Sequence, residues 1–389
     1  MSKFKVSFIL FLFFNLFVVQ SCGVNPATGK KEIQLVSDRK EISMGAQNYP
    51  YGQQSSGGIF IHDAELTQYV QSVGQKLTKY SNRPNLPYEF KIVNHSVPNA
   101  WAMPGGKIVI NRGLLVHLQS EAELAAVLGH EITHAALRHG AQSMERGMLI
   151  MAGVVAADIL LPNENKVQKQ VLLGGAALSA TLLQTKYGRD AELEADKYGI
   201  DYMVKAGYDP SGAVHLQELF LKMMDKKSPN WLEGLFASHP PSKERLKENQ
   251  AYAKTLPKGF LGKEEFQKKL ANLKKWAPAY KAFDDGLEAL KDKKYSKAHE
   301  LATKAIGLFP EEGLFYQLRG SIYYQEKDYA QAIKAFTESI HKNPDYFYPY
   351  QQRGFCYKKL RDYKNAKLDL DKSQKLLPLD ETRLALESL

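Results

Sequence analysis

Residues 127–140 read VLGHEITHAALRHG and place His130, Glu131 and His134 in the pattern HExxH. On a helix, residues i and i+4 point the same way, so two imidazoles can share one zinc ion. Glu131, beside the first of them, can then reach the attacking water, and the chemistry is metal-assisted hydrolysis. Leu124, Val127, Leu128 and Ile132 form the apolar stripe that would bury such a helix. Zinc in a hydrolytic site takes a third protein ligand and keeps one position open. A third histidine at the metzincin spacing would fall on Gly140, so that pattern fails. His139 follows His134 by five residues, about 140° further round a continuous helix, and is expected to face elsewhere. A glutamate from a later helix is the other solution. The stretch YGRDAELEAD, 187–196, holds two i, i+4 pairs on different faces, Glu192 with Asp196 and Asp190 with Glu194. Spacing does not choose between them.

The elements that must hold these residues lie in one block, roughly 30–255. YEFKIVNHS and GKIVINRGLL read as short strands by their alternation and β-branched content. Nearly everything from Ser120 to Lys226 reads as helix, which makes the block an α-rich α+β domain. The apolar stretches 147–161 and 171–183 are too short for a span of roughly 20 residues and read as buried or membrane-surface helices. The lysine-rich segment 251–278 is the expected connection to the C-terminal part of the chain.

The C-terminal part repeats. Gly286, Gly320 and Gly354 are spaced by 34, as are Tyr295, Tyr329 and Tyr363, Ala298, Ala332 and Ala366, and Pro310, Pro344 and Pro378. Period and residue types match the tetratricopeptide repeat, a pair of antiparallel helices. Three repeats over about 279–378 are expected, with LDETRLALESL closing the stack. Such a stack presents a concave face to peptide or protein partners. Its tyrosines are read mainly as packing between helices.

The chain has 389 residues, a formal charge of +10, 44% hydrophobic and 24% charged residues, the balance of folded protein. No nucleic-acid motif accompanies the positive charge. Lys3 and Lys5 precede an apolar run from Val6 to Val19, the pattern of an export signal rather than a span. VVQSC resembles a bacterial lipobox, which implies cleavage before Cys22 and a lipid on its thiol. Cys356 is then left without a disulfide partner.

HExxH followed by ExxxD resembles the zinc metallopeptidase family that contains CAAX prenyl proteases, HtpX and the periplasmic protease BepA. NAWAMPGG (99–106) looks like that family's strand ahead of the catalytic helix, and SHPPSKER like its later His-Pro and Arg motif. NPATGKKEIQLVS (25–37) resembles the start of the lipoprotein members, and the repeats match the BepA-like branch. The resemblance implies an α+β zincin-type domain followed by an all-α repeat domain. It implies one zinc ion on His130, His134 and Glu192, with Asp196 orienting a ligating histidine. Glu131 would take the water's proton and deliver it to the leaving amine. The strand Ala102, Met103, Pro104, Gly105 and Gly106 would pair with substrate backbone, the two glycines having a simple turn as alternative. His239 would stabilise the oxyanion or occupy zinc's fourth position and shut the site. Arg245 would contact the substrate carbonyl or pair with a carboxylate.

The expected organisation is a signal peptide at 1–21, a metallopeptidase domain at 22–255, a connection at 256–278 and repeats at 279–389. The expected function is a zinc endopeptidase held in the envelope by lipidated Cys22, in the outer membrane and facing the periplasm. It would degrade misfolded or stalled envelope proteins, with the repeats recruiting a partner. The competing reading is an assembly factor or chaperone with a latent site.

Overall fold

A computed structural model of the chain describes residues 22–25, 29, 31–160, 187–225 and 239–389. The expected signal peptide and the second apolar stretch lie outside them. Among the described residues no helix is long and apolar enough to cross a membrane.

Strands β1 (Cys22–Val24) and β2 (Lys31–Ile33) form a small antiparallel pair. Helices α1 (Asp38–Ser55) and α2 (Ala64–Thr78) come after them, capped by the side chains of Ser37 and Asp63. A three-stranded sheet comes next, built from β3 (Glu89–Val93), β4 (Ala100–Met103) and β5 (Lys107–Asn111) in the order β3-β5-β4. β3 runs parallel to β5, and β4 returns antiparallel, Ala100 opposite Ile110 and Met103 opposite Lys107. The expected substrate strand is therefore shorter than read: it ends at Met103, and Pro104, Gly105 and Gly106 make the hairpin turn. Gly105 and Gly106 take φ of +77° and +86°, a region that favours glycine. A Cβ on Gly105 would come 2.7 Å from the Cα of Ile42, so α1 presses on this turn.

Helix α3 (Glu121–Ala136) is capped by the Ser120 hydroxyl and is buried along its length from Ala122. It lies against the sheet, against α2, and against α5 (Arg189–Lys205) and α6 (Ser211–Asp225); α4 (His139–Leu160) follows it directly in sequence. Leu66, Val70, Ile108, Ile110, Leu124, Leu128, Ile132 and Ile200 pack into this core. α3 and α5 approach closely where two glycines meet. A Cβ on Gly129 would sit 2.9 Å from the Gly199 carbonyl oxygen, and one on Gly199 2.9 Å from the His130 amide nitrogen. Helix α7 (Lys243–Ala253) completes the domain beside α5 and α6.

Residues 256–278 were expected as a lightly patterned connection. They instead contain α8 (Lys263–Lys269) and the start of α9 (Ala271–Lys291), which continues through Pro278 into the first repeat. Helices α10 (Tyr295–Leu308), α11 (Gly313–Gln325), α12 (Tyr329–Lys342), α13 (Phe347–Lys359) and α14 (Tyr363–Leu376) complete three antiparallel pairs. The final helix, α15 (Asp380–Glu387), packs on α14 as the closing element. The period-34 tyrosines open the second helix of each pair, and Ala298, Ala332 and Ala366 are fully buried within them. Each period-34 proline stands two residues past the helix end, where no further amide donor is needed.

The repeats are joined to the first domain through buried polar contacts. Glu312 accepts from Asn94 Nδ2 (2.7 Å), the Tyr280 hydroxyl (2.5 Å) and the Leu314 amide (3.0 Å), and lies 3.2 Å from His62 Nε2. The Arg112 guanidinium lies over the Tyr280 ring at 3.3 Å and donates to Asn94 Oδ1. Tyr346, one of the repeat tyrosines, is buried and would meet a Cβ on Gly58, so it packs between the domains.

Candidate metal centre

The helical spacing of His130 and His134 puts both side chains on the face of α3 turned toward α5 and toward the loop at His239. Their Nε2 atoms are 3.0 Å apart. From α5, Glu192 Oε1 comes to 3.4 Å from His134 Nε2 and Glu192 Oε2 to 3.5 Å from His130 Nε2. His239 Nδ1 lies 2.9 Å from Glu192 Oε1 and 3.2 Å from His130 Nε2. One donor atom from each of these four buried residues falls within 4.8 Å of all the others, an arrangement that could hold a metal ion.

The outer contacts orient this set. His130 Nδ1 is 2.9 Å from Asp196 Oδ1, which leaves Nε2 for the centre. Arg245, in the first turn of α7, donates from Nε to Asp196 Oδ2 (2.7 Å) and from Nη2 to Asp196 Oδ1 (2.6 Å). Its Nη1 lies 2.7 Å from Glu192 Oε2 and donates to the Pro240 carbonyl at 3.2 Å. Of the two roles expected for Arg245, the contacts are those of carboxylate pairing. The HPPS turn accounts for both placements, because Ser242 caps α7 through the Arg245 amide and leaves His239 on the loop leading in.

Burial acts on every one of these groups, and partners decide the outcome. Burial would lower the His130 pKa, but Glu192 and Asp196 outweigh it and raise it to about 10. His134 is held well below the ordinary value by burial and by the neighbouring His130 and His139 charges. Burial would raise Glu192 and Asp196. His239 and His130 hold Glu192 well below the usual range, and Arg245 holds Asp196 low. Glu131 is raised, by burial first, despite the nearby His239 and His130.

Glu131 Oε1 is 3.6 Å from His239 Nε2, while Oε2 is buried with no hydrogen-bond partner among the described residues. A buried carboxylate oxygen left unpaired costs about 1–3 kcal/mol unless something occupies the space before it. Two imidazoles and a carboxylate, with an unpaired base beside them, fit a hydrolytic metal. A cation there would also displace the proton from His130 and screen the Glu192 charge.

The two acidic pairs of α5 separate clearly. Glu192 and Asp196 are buried at the centre. The Asp190 side chain is 94% exposed, and Glu194 turns to His139 at 3.4 Å. His139 itself requires a correction, because it does not face elsewhere. α3 ends at Ala136, and Arg138 takes φ of +62°, so the chain turns before α4 begins at His139. Its Nδ1 comes to 2.9 Å from His134 Nδ1. Arg138 is held in that turn by Glu41 Oε2, the Val36 carbonyl and Glu145 Oε1. Tyr187, also unforeseen, stacks on the His134 ring with centroids 3.9 Å apart. Of the expected substrate strand, Ala102, Met103 and Pro104 border a recess beside His134, with Tyr187 and Gly140 on its other walls.

Comparison with known proteins matches residues 64–253 to peptidase family M48, and residues 313–346 and 348–378 to tetratricopeptide repeats. The beta-barrel assembly-enhancing protease of Escherichia coli (strain K12) is 30% identical over 230 residues, 57% of this chain and 44% of that protein. The mitochondrial metalloendopeptidase OMA1 of Arabidopsis thaliana is 31% identical over 185 residues, 46% of this chain and 35% of that protein. The metalloprotease YcaL of Escherichia coli (strain K12) is 28% identical over 210 residues, 54% of this chain and 77% of that protein. The chain thus spans less than half the length of its beta-barrel assembly-enhancing relatives. It carries a peptidase family M48 domain, the one that holds the histidine and glutamate cluster, followed by tetratricopeptide repeats.

Proposed function

We propose that this chain is a zinc-dependent endopeptidase of the bacterial cell envelope. On this reading it hydrolyses peptide bonds of misfolded or stalled envelope and outer-membrane proteins, and its repeats bind a partner or client. The observation that carries the reading is the unpaired Glu131 Oε2 beside a set of two histidines and a carboxylate.

His130, His134 and Glu192 are the ligands in this proposal, and Asp196 fixes the ring of His130. When bound, zinc supplies a Lewis acid for water and the scissile carbonyl. Glu131 takes the proton from the attacking water and passes it to the departing amine; its raised pKa suits that exchange. Arg245 positions both carboxylates. Among the described residues β4 pairs only with β5, which leaves an edge at Ala102 and Met103 for extended substrate backbone. Main-chain pairing of that kind tolerates many sequences, as a quality-control enzyme needs. Attachment through a lipid on Cys22 is supported by the export signal and lipobox in the sequence, and the outer membrane is the expected site of the anchor.

One contact favours a second state of the same protein. His239 Nδ1 sits inside the ligand set, within hydrogen-bond reach of both His130 and Glu192. With His239 as a fourth ligand the site is shut, and the repeats carry the resting function as an assembly factor. The test uses the chain beginning after Cys22, its bound zinc and its cleavage of an unfolded protein, with Glu131→Gln and His239→Ala alongside. The peptidase reading requires one zinc per chain and cleavage that Glu131→Gln abolishes while keeping the metal. Cleavage by His239→Ala alone identifies the gate. Zinc without cleavage by any of the three refutes the peptidase reading.

A further inference from the structure

Helix α4 leaves the domain with its apolar side chains bare. Arg146, Gly147, Met148, Leu149 and Ile150 are all exposed, Met148 at 48% and Ile150 at 66%. At about 100° per residue, five successive positions pass through more than a full turn. Beyond Glu145, therefore, no face of this stretch rests on the described part of the domain, and a Cβ on Gly147 would meet nothing within 4 Å. No other three consecutive large apolar residues are exposed among the described residues. From Gly147 to Leu160 the helix reads GMLIMAGVVAADIL, with Asp158 its one charge. A helix that is apolar on every side needs an apolar surrounding.

The position of the expected anchor says what that surrounding is. Gly23 of β1 pairs with Glu32 of β2. Glu32 accepts from Asn25 Nδ2 and from Gln142 Nε2, each at 2.8 Å. A little further on, the Val36 amide donates to Glu145 Oε1 at 2.9 Å. Gln142 and Glu145 belong to the first two turns of α4, and Met148 and Leu149 follow Glu145 on the same face one turn later. The hairpin that begins at Cys22 is thus fastened to the foot of the bare stretch. Val24 and Leu35, 59% and 40% exposed, add apolar surface on this segment. Lys31 and Arg146, the neighbours of Glu32 and Glu145, are exposed cations.

We propose that Met148, Leu149 and Ile150 dock this protein on the lipid surface that holds the Cys22 anchor. The inference rests on the envelope reading with Cys22 as lipid anchor. The apolar side chains enter the boundary between headgroups and acyl chains, while Lys31 and Arg146 meet anionic headgroups. The helix lies in that boundary and does not cross. From Gly147 to Leu160 it rises about 21 Å, against a hydrocarbon core of about 30 Å. Lipid and helix together give two points of contact, which fix the orientation of the domain. α4 begins at His139, whose ring meets His134, and Met148 lies about 14 Å further along the axis. Docking therefore holds the metal centre close above the bilayer, where strands that have failed to insert are within its reach.

The test uses the chain from residue 22 with Cys22→Ser, which carries no lipid, and vesicles of phosphatidylethanolamine and phosphatidylglycerol. Cosedimentation should show binding, and Met148→Glu and Ile150→Glu should each lower the partition coefficient about tenfold or more. An environment-sensitive fluorophore on Ile150→Cys should shift to the blue with vesicles and be quenched by brominated acyl chains. The same fluorophore on Leu384→Cys, exposed in the closing helix, should do neither. Cys356 is buried and stays unlabelled. Three results overturn the docking face: no binding of the unlipidated chain, binding that both glutamate variants retain, or a fluorophore at 150 already in apolar surroundings without vesicles. The last means that the chain itself or a second copy covers the face, and sedimentation velocity tells these apart. Lipidation is read separately, from the mass of the N-terminal peptide of the exported full-length chain, and no readout here involves cleavage. Failure of the anchor or of the peptidase reading therefore remains distinguishable from failure of the docking.

Discussion

Arg245→Met isolates the electrostatic logic of the centre. Arg245, Asp196 and Glu192 are 5%, 7% and 2% exposed. The guanidinium forks onto Asp196 at 2.6 and 2.7 Å and reaches Glu192 at 2.7 Å. Methionine has a comparable stem and no charge, so the substitution leaves two buried carboxylates short of a cation rather than a cavity. Removing one partner of a buried pair costs about 3–5 kcal/mol. In the metal-free chain, amides of α3 and α5 should therefore lose roughly two to four decades of hydrogen-exchange protection. Zinc supplies positive charge at Glu192 but not at Asp196, so the zinc-loaded protein should lose distinctly less. Arg245→Lys should fall between, because a point charge cannot fork onto Asp196 and reach Glu192 together. Arg189→Met is the control: that pair with Glu244 is at the surface and should be silent in the same amides. A loss below about 1 kcal/mol in metal-free Arg245→Met would refute the reasoning. It would mean that protonated His130, which touches both carboxylates, already neutralises them.

His139→Phe removes the partner of His134 Nδ1 and should weaken zinc binding roughly 10- to 100-fold in a chelator competition; a change under about threefold would return His139 to a packing role. Gly199→Ala forces α5 away from the His130 amide and carries Glu192 with it, so stability should fall by about 1–3 kcal/mol in urea unfolding and bound zinc below one per chain. His95 accepts from the Val97 amide through Nδ1, and burial lowers its pKa from 6.5 to about 4. The folded state thus favours the neutral ring: this stability is complete above about pH 6.5 and is lost as pH falls toward 4, at most about 3 kcal/mol, a loss that His95→Gln should remove from the pH profile of urea unfolding.

How legible each residue was in the sequence depends on the range of the interaction that fixes it. HExxH and the period-34 columns are local: helix geometry alone brings His130 to His134 and Ala298 onto the inner face of its pair. Glu192 was not legible that way, because Asp190 with Glu194 has the same spacing; only the family resemblance chose it. The choice is made by the approach of α5 to α3 at Gly199 and Gly129, which turns one face of α5 inward and leaves the Asp190 side chain 94% exposed. His139 was misplaced for the same kind of reason. RHG carries no glycine or proline at the residue that turns, and Arg138 adopts positive φ because Val36, Glu41 and Glu145 grip its side chain. Gln217 reads in sequence as an ordinary polar position on an amphipathic helix, and it is buried where α6 packs against α3 and α7. The ligand pair and the base are thus encoded within one short helical motif. The parts that orient them come from contacts between elements far apart in the chain. A substitution in the first group should remove activity outright, whereas one in the second should alter metal affinity. His139→Phe tests that division directly, since it leaves the HExxH residues themselves unchanged.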